Sequence, residues 1–250
     1  DSNQRIIDFE TYANSNVGLE FYNGSGSEAG LQTGGSNLFP DTNWHHVVGV
    51  YNGSAILYVD GVLKDQSTAV GGGLRSGGTS YDFSISQDSL GFNGSIDDFM
   101  LFNRSLSLSD IQDIYNNQSS RYMKTGQQVI PGTVITDSST WDNNGYENLN
   151  LTLNVSNEKN SNVSVRLKQI NMSVNLTGLI GYWNFEENAA IDHSGNGYKA
   201  VIEGDTYWNS TGGRNGTAAF ILDGSGDDIE IGNVDAVEGI PELTVCAWAR

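Results

Sequence analysis

Three kinds of residue in this sequence have types and spacings suited to chemistry: paired carboxylates, acidic glycine-rich turns and Asn-x-Ser/Thr triplets. Asp8/Glu10 and Asp228/Glu230 each place two acids on one face of a strand, about 7 Å apart by strand rise. Such a pair cleaves glycosides when one carboxyl is held protonated by its surroundings. Each pair is expected among other solvated acids, so neither is prepared for that work, and no enzyme activity is expected. His45 and His46 are adjacent on a strand, point to opposite faces and cannot share a metal; both read as core residues. Cys246, the single cysteine, lies between Val245 and Ala247 in an apolar strand and reads as a buried, inert thiol.

Calcium takes six to eight oxygen ligands, and the turn Asp223-Gly224-Ser225-Gly226-Asp227-Asp228 offers them between two strands. With the second acidic cluster, Asp97-Asp98, this makes Asp97, Asp223 and Asp227 the candidate Ca2+ ligands, set against turn-forming Asp as the alternative. Glycan binding needs exposed aromatic faces beside polar groups. Trp141 and Trp208 sit in loop-like contexts and are the candidate platforms, whereas Trp44, Trp183 and Trp248 lie in apolar strands and are expected in the core.

Twelve triplets spell the N-glycosylation acceptor: Asn23, Asn52, Asn93, Asn103, Asn117, Asn150, Asn154, Asn162, Asn171, Asn175, Asn209 and Asn215. About five are expected from 27 Asn and 42 Ser and Thr, so the motif is in excess. Between Asn150 and Asn175 the asparagines alternate with apolar residues and fall on the polar face of each predicted strand. Covalent N-glycans there imply passage through a secretory route and an extracellular, cell-surface location.

Composition narrows the partners. Thirty acidic against twelve basic residues give a net charge of −18, and no basic stripe exists to meet phosphates, which excludes nucleic acid. No apolar run is long enough to cross a bilayer. The first residue is not Met, so a missing leader carries no meaning.

The elements that must hold these residues are nearly all strands. Trp44–Tyr51, Ala55–Asp60 and Val62–Gln66 read as a meander turned by Asn52-Gly53 and Asp60-Gly61, both type I′ signals. Ser95–Phe102 is a further strand. One helix follows, capped by Ser107 with Asp110 as its box partner, striped by Ile111, Ile114 and Tyr115, and ended by residues 116–120. Residues 118–177 alternate well enough for about four strands (127–136, 147–155, 162–167 and 170–177) and read as a small β-rich glycosylated spacer.

Both ends of the chain carry a resemblance. NWHHVVGVYNGSAILYVDGVLKD, with GSIDDFMLFNRSLSLSDIQDIYN, resembles the closing strands and terminal helix of the laminin G-like, concanavalin A-like jelly roll. GLIGYWNFEENAAIDHSGNGYKAVIEG, with AAFILDGSGDDIEIG and LTVCAWAR, resembles its opening strands. The resemblance implies an all-β, laminin G-like jelly-roll β-sandwich, completed by joining 178–250 to 1–117 within one chain or across chains, plus the spacer. It implies a rim calcium ion, and a structural or sugar-binding role; the glucanases of this fold carry Glu-x-Asp-x-x-Glu, which is absent here. Similarity is greater to archaeal-type surface proteins than to disulfide-bearing animal matrix modules. The role expected is one period of a repeating or strand-exchanged surface filament, whose partners are copies of itself. The alternative is a carbohydrate-binding adhesin.

Overall fold

The computed structural model describes residues 5–12, 16–22, 28–32, 42–67, 71–74, 82–86, 92–121, 129–130, 133–134 and 174–250. The first half opens with a meander of β1 (Arg5–Tyr12), β2 (Asn16–Tyr22) and β3 (Glu28–Gln32). A second meander follows, β4 (His45–Tyr51), β5 (Ala55–Val59) and β6 (Val62–Gln66). Next come β7 (Asp82–Ile85), β8 (Asn93–Phe102) and the helix α1 (Leu108–Arg121). β9 (Val129–Ile130) and β10 (Thr133–Val134) pair with each other. The last part adds β11 (Leu179–Trp183), β12 (Val201–Glu203) and β13 (Tyr207–Asn209). It ends with β14 (Ala219–Asp223), β15 (Asp228–Asn233) and β16 (Leu243–Ala249).

These strands form two large sheets. One has the order β12-β15-β7-β1-β2-β3, and the other β13-β14-β8-β16-β4-β5-β6, with β11 beside β14 on the same edge of β8. Late strands are thus set among early ones in both sheets, and β16 runs between β4 and β8. The architecture is an all-β jelly-roll sandwich.

Strand parity decides what each face buries. In β4, Val47 and Tyr51 join the core between the sheets, while Val48 and Val50 face the other way. In β16, Val245 and Ala247 point inward and Cys246 outward. The inner core brings Phe21, Ile85, Ile229 and Ile231 of the first sheet against Phe99, Leu101 and Phe220 of the second. The outward row is covered by α1, whose Ile111 and Ile114 pack on Val48, Val50, Met100, Phe102 and Cys246. Burial raises the Cys246 thiol pKa far above its ordinary value, so the thiol is unreactive.

α1 begins as its sequence dictates. Ser107 Oγ accepts from the Asp110 N–H at 3.2 Å, and Asp110 Oδ2 accepts from the Ser107 N–H at 3.1 Å, a reciprocal capping box. The helix runs past the polar residues 116–120 that were expected to end it. Tertiary contacts hold its last turn: the Gln118 carbonyl accepts from the Arg214 guanidinium, and its side chain accepts from the Trp248 indole at 2.8 Å.

The two turns differ. Asp60 and Gly61 both have positive φ (53° and 73°), as a type I′ turn requires, but at Asn52-Gly53 only the glycine does (90°). Tyr51 and Ala55 are register partners, so a three-residue loop replaces the two-residue turn there. At the end of the predicted strand 170–177, residues 174–177 are not extended into a sheet. Arg104 draws them off, donating to the carbonyls of Asn175 (3.2 Å) and Thr177 (2.6 Å). The other predicted spacer strands lie outside the described residues, except for β9 and β10 within 127–136.

Candidate functional site

Two chain crossings meet at one rim of the sandwich. β12 belongs to the first sheet and β13 to the second, so residues 204–206 cross between them; β14 to β15 crosses back through residues 224–227. Gly204, Gly224 and Gly226 all have positive φ, and a Cβ on Gly204 would strike the Gly226 carbonyl and Asp227. That close approach stacks the two crossings and brings together Asp205, Asp223 and Asp227, with one carboxylate oxygen of each within 4.8 Å of the others.

Asp227 is the pivot. It is 2% exposed, and its two oxygens accept from the backbone N–H of Asp205 (2.9 Å) and Asp223 (2.6 Å). Asp205 and Asp223 are exposed. The Asp205 pKa is raised, first by its hydrogen bond with the Asp227 side chain and then by the charges of Asp223 and Asp227. Three carboxylates crowded without a basic ion-pair partner among the described residues form an all-oxygen donor set that fits a hard divalent cation.

Of the residues singled out in the sequence, Asp223 and Asp227 belong to this cluster and Asp97 does not. Asn93 is the β8 residue that pairs with Asp223, so Asp97 lies four residues further on, about 13 Å by strand rise. Asp97 and Asp98 form a β-bulge, two residues between the inward-facing Ile96 and Phe99, and Asp98 takes φ 50°. Asp97 is 1% exposed and accepts from Thr217 Oγ1 at 3.2 Å and from the Arg214 N–H at 3.4 Å. Its pKa is raised well above the ordinary value by burial first, then by the like charges of Asp98 and Glu186. Asp98 accepts from the Tyr182 hydroxyl at 2.7 Å. Asp205 is the member of the cluster that sequence reasoning missed; its only signal was a Gly-Asp turn resembling the one at 226–227.

The aromatic candidates divide as well. Trp208 is no open platform, because it turns inward from β13, packs on the core and donates its indole N–H to the Phe185 carbonyl at 2.9 Å. Trp141 lies outside the described residues. Trp183 and Trp248 are buried, whereas Trp44, expected in the core, is half-buried with the Arg250 guanidinium 5.2 Å from its ring.

The histidines sit on opposite faces. His45 Nδ1 meets Asp60 Oδ2 at 2.8 Å, and His46 is fully buried beside Tyr115 and Trp248. Burial, and then the charge of Arg214, push the His46 pKa down to about 3, so the ring is a neutral packing element. Of the carboxylate pairs, Asp228 is buried at 8% exposed, where the sequence suggested solvent, and Glu230 is half-buried. The side chains of Asp8 and Glu10 are outside the described residues.

Among the triplet asparagines, Asn52, Asn93, Asn103 and Asn175 are exposed, and Asn209 is half-buried. The Oδ1 of Asn52, Asn175 and Asn209 accepts from the N–H two residues on, at 3.4, 3.1 and 3.0 Å. Asn117 lies in α1 and Asn215 in the 3-10 turn Arg214–Gly216. Asn23, Asn150, Asn154, Asn162 and Asn171 are outside the described residues.

Residues 1–112 match the family model Laminin_G_3, the concanavalin A-like lectin/glucanases superfamily. No curated protein and no solved structure matched the chain. Domains of this superfamily are typically extracellular, and most of them bind ligands and do not catalyse reactions. No helix among the described residues is long and apolar enough to cross a membrane. The match over residues 1–112 and the two-sheet sandwich built around those strands both support a laminin G-like jelly roll.

Proposed function

We propose that this protein is an N-glycosylated structural module of a cell surface, one period of a repeating or strand-exchanged filament. Within the general role of an extracellular adhesion-type or carbohydrate-binding module, one observation carries the finer reading. β16, from the far end of the chain, fills an interior place between β4 and β8. A neighbour's β16 would make the same hydrogen bonds, and the chain between α1 and β11 has enough residues to let it reach across. The exposed sequon asparagines then carry glycans that shield flat strands and edges from unplanned pairing.

Natural-source material tests both halves of this reading. Light scattering and particle images at near-native salt are expected to show multimers that grow with concentration. Glycopeptide mass spectrometry is expected to find sugars on Asn150, Asn154, Asn162, Asn171 and Asn175 and on the exposed Asn52, Asn93 and Asn103. Monodisperse monomers with unmodified asparagines would sink the proposal.

The acidic rim takes calcium in this reading, through Asp205, Asp223 and Asp227. Calcium at one hundred times its Kd stabilises the folded chain by about 2.7 kcal/mol. Thermal unfolding with calcium and with chelator is expected to show that rise, and Asp223→Asn to abolish most of it. A melting temperature indifferent to calcium would remove the ion from the account.

A carbohydrate-binding adhesin is the second reading, favoured by one observation: Tyr207, next to this rim, is 56% exposed.

A further inference from the structure

Outward-facing residues of the second sheet form cross-strand rows, and the protein covers them unequally. The row through Trp248 and His46 lies under Tyr115, Gln118 and Arg214. Two residues along the strands, the next outward row is Tyr207, Ile221, Ser95, Arg250 and Trp44. Its register is fixed by Tyr207 opposite Ile221 and Ile221 opposite Ser95. Ser95 and Arg250 exchange both backbone hydrogen bonds, at 2.8 and 3.0 Å. Ala249 pairs with His45, which sets Arg250 beside Trp44.

This row is open at both aromatic ends. Tyr207 is 56% exposed, Trp44 and Ile221 are half-buried, and Arg250 is exposed. Five strands at about 4.8 Å spacing put the Tyr207 and Trp44 backbones about 19 Å apart. Between them stands a cation in a chain whose net charge is −18. The Arg250 guanidinium donates only weakly, to Ser95 Oγ at 3.4 Å and the Gly212 carbonyl at 3.5 Å, both neutral acceptors. Among the described residues its ring partner is Trp44, and no carboxylate forms an ion pair with it.

We infer that this row binds an acidic oligosaccharide, one whose sugars carry carboxylates. The inference rests on the carbohydrate-binding reading of the module and gives that reading a place and a ligand class. Sugar rings present C–H faces that lie flat on aromatic rings, and two such rings spaced along a strip suit an extended chain of sugars. The Arg250 guanidinium, 5.2 Å from the centre of the Trp44 ring and bonded weakly to two neutral acceptors, keeps N–H donors for a carboxylate, which a guanidinium grips through two parallel bonds. Acidic side chains dominate the rest of the surface and repel the same ligand, so recognition is local to Arg250.

Titration calorimetry of the 250-residue protein with tetragalacturonate, and with a neutral tetrasaccharide of galactose, tests the inference. Tetragalacturonate is expected to bind and the neutral chain to bind at least tenfold more weakly. Arg250→Gln and Tyr207→Ala are each expected to weaken the acidic ligand by roughly tenfold. Tyr207→Phe keeps the ring and is expected to keep the affinity. Unchanged melting temperatures show that the variants fold. Equal affinity for the two oligosaccharides, or an Arg250→Gln protein that binds as before, overturns this inference and leaves the carbohydrate-binding reading intact. Failure of acidic and neutral saccharides alike, across a broad glycan array, overturns both.

Discussion

Trp248→Ala is expected to be the most damaging single change in this protein, at about 3–5 kcal/mol of stability. Trp248 is 3% exposed and touches four groups at once. Its ring stacks on Tyr115 of α1 at 5.8 Å, lies 5.2 Å from His46, and carries the Arg214 guanidinium 3.6 Å from its centroid. Its indole N–H donates to Gln118 at 2.8 Å. Alanine leaves a cavity lined by a buried imidazole, a guanidinium and an amide, so the cost includes unsatisfied polar groups as well as lost contact. Denaturant unfolding followed by circular dichroism measures it, and the last turn of α1 is expected to exchange its amide hydrogens early. Trp248→Phe restores most of the packing without the donor and is expected to recover more than half of the loss. A Trp248→Ala protein within 1 kcal/mol of wild type, on the order of an ordinary surface change, would show that α1 docks independently of this stack.

Asp192→Ala is the second, at about 2 kcal/mol. Asp192 Oδ1 accepts from the N–H groups of Tyr182 (3.1 Å) and Ser194 (2.8 Å), and Oδ2 from those of Gly197 (2.9 Å) and Tyr198 (3.0 Å). Four backbone donors therefore close the 192–198 loop on one carboxylate and tie it to β11. Burial opposes the charge, but the Ser194, Tyr182 and Tyr198 hydrogen bonds outweigh it and hold the pKa below the ordinary value. The unfolded chain thus binds this proton more readily than the folded one. The stability that Asp192 supplies is complete above the usual carboxylate range and is lost as pH falls through the lowered folded pKa. Melting temperature against pH is expected to fall less steeply below pH 4 (on the order of the unperturbed Asp pKa) in Asp192→Ala than in wild type. Parallel curves would show that the loop is closed by other means.

Period-2 alternation located β4, β5 and β8 to within two residues, because these strands bury one face or both and the side-chain parity has to match, whereas the largely exposed β6 was located by the Asp60-Gly61 turn before it. It also put His45 and His46 on opposite faces. Alternation carries no information about which strands become neighbours, and the cation cluster depends on that. Asp205 reaches Asp223 and Asp227 only because two crossings between sheets stack at Gly204. Asp97, in an acidic pair that reads much like Asp227-Asp228, is instead turned by a bulge into a buried pocket. Trp44 and Trp208 were exchanged for a related reason. Apolar neighbours suggested that Trp44 was internal and polar ones that Trp208 was external, yet strand parity turns Trp44 outward and Trp208 onto the core. The length of α1 was likewise hidden, since Arg214 and Trp248, which secure its final turn, lie about a hundred residues or more away in sequence.

The placing of β16 also governs how the molecule comes into being. Val245 sits opposite Gly49 on one side and Leu101 on the other, partners separated from it by roughly 200 and 140 residues. During synthesis the β4 and β8 strands emerge first and must wait, with the strand place between them unfilled beside apolar residues such as Val47 and Leu101, until β16 follows. Loop closure over such distances makes the final step slow and leaves a sticky half-sheet in the interval. The nascent chain is thus expected to be prone to aggregation until β16 is in place.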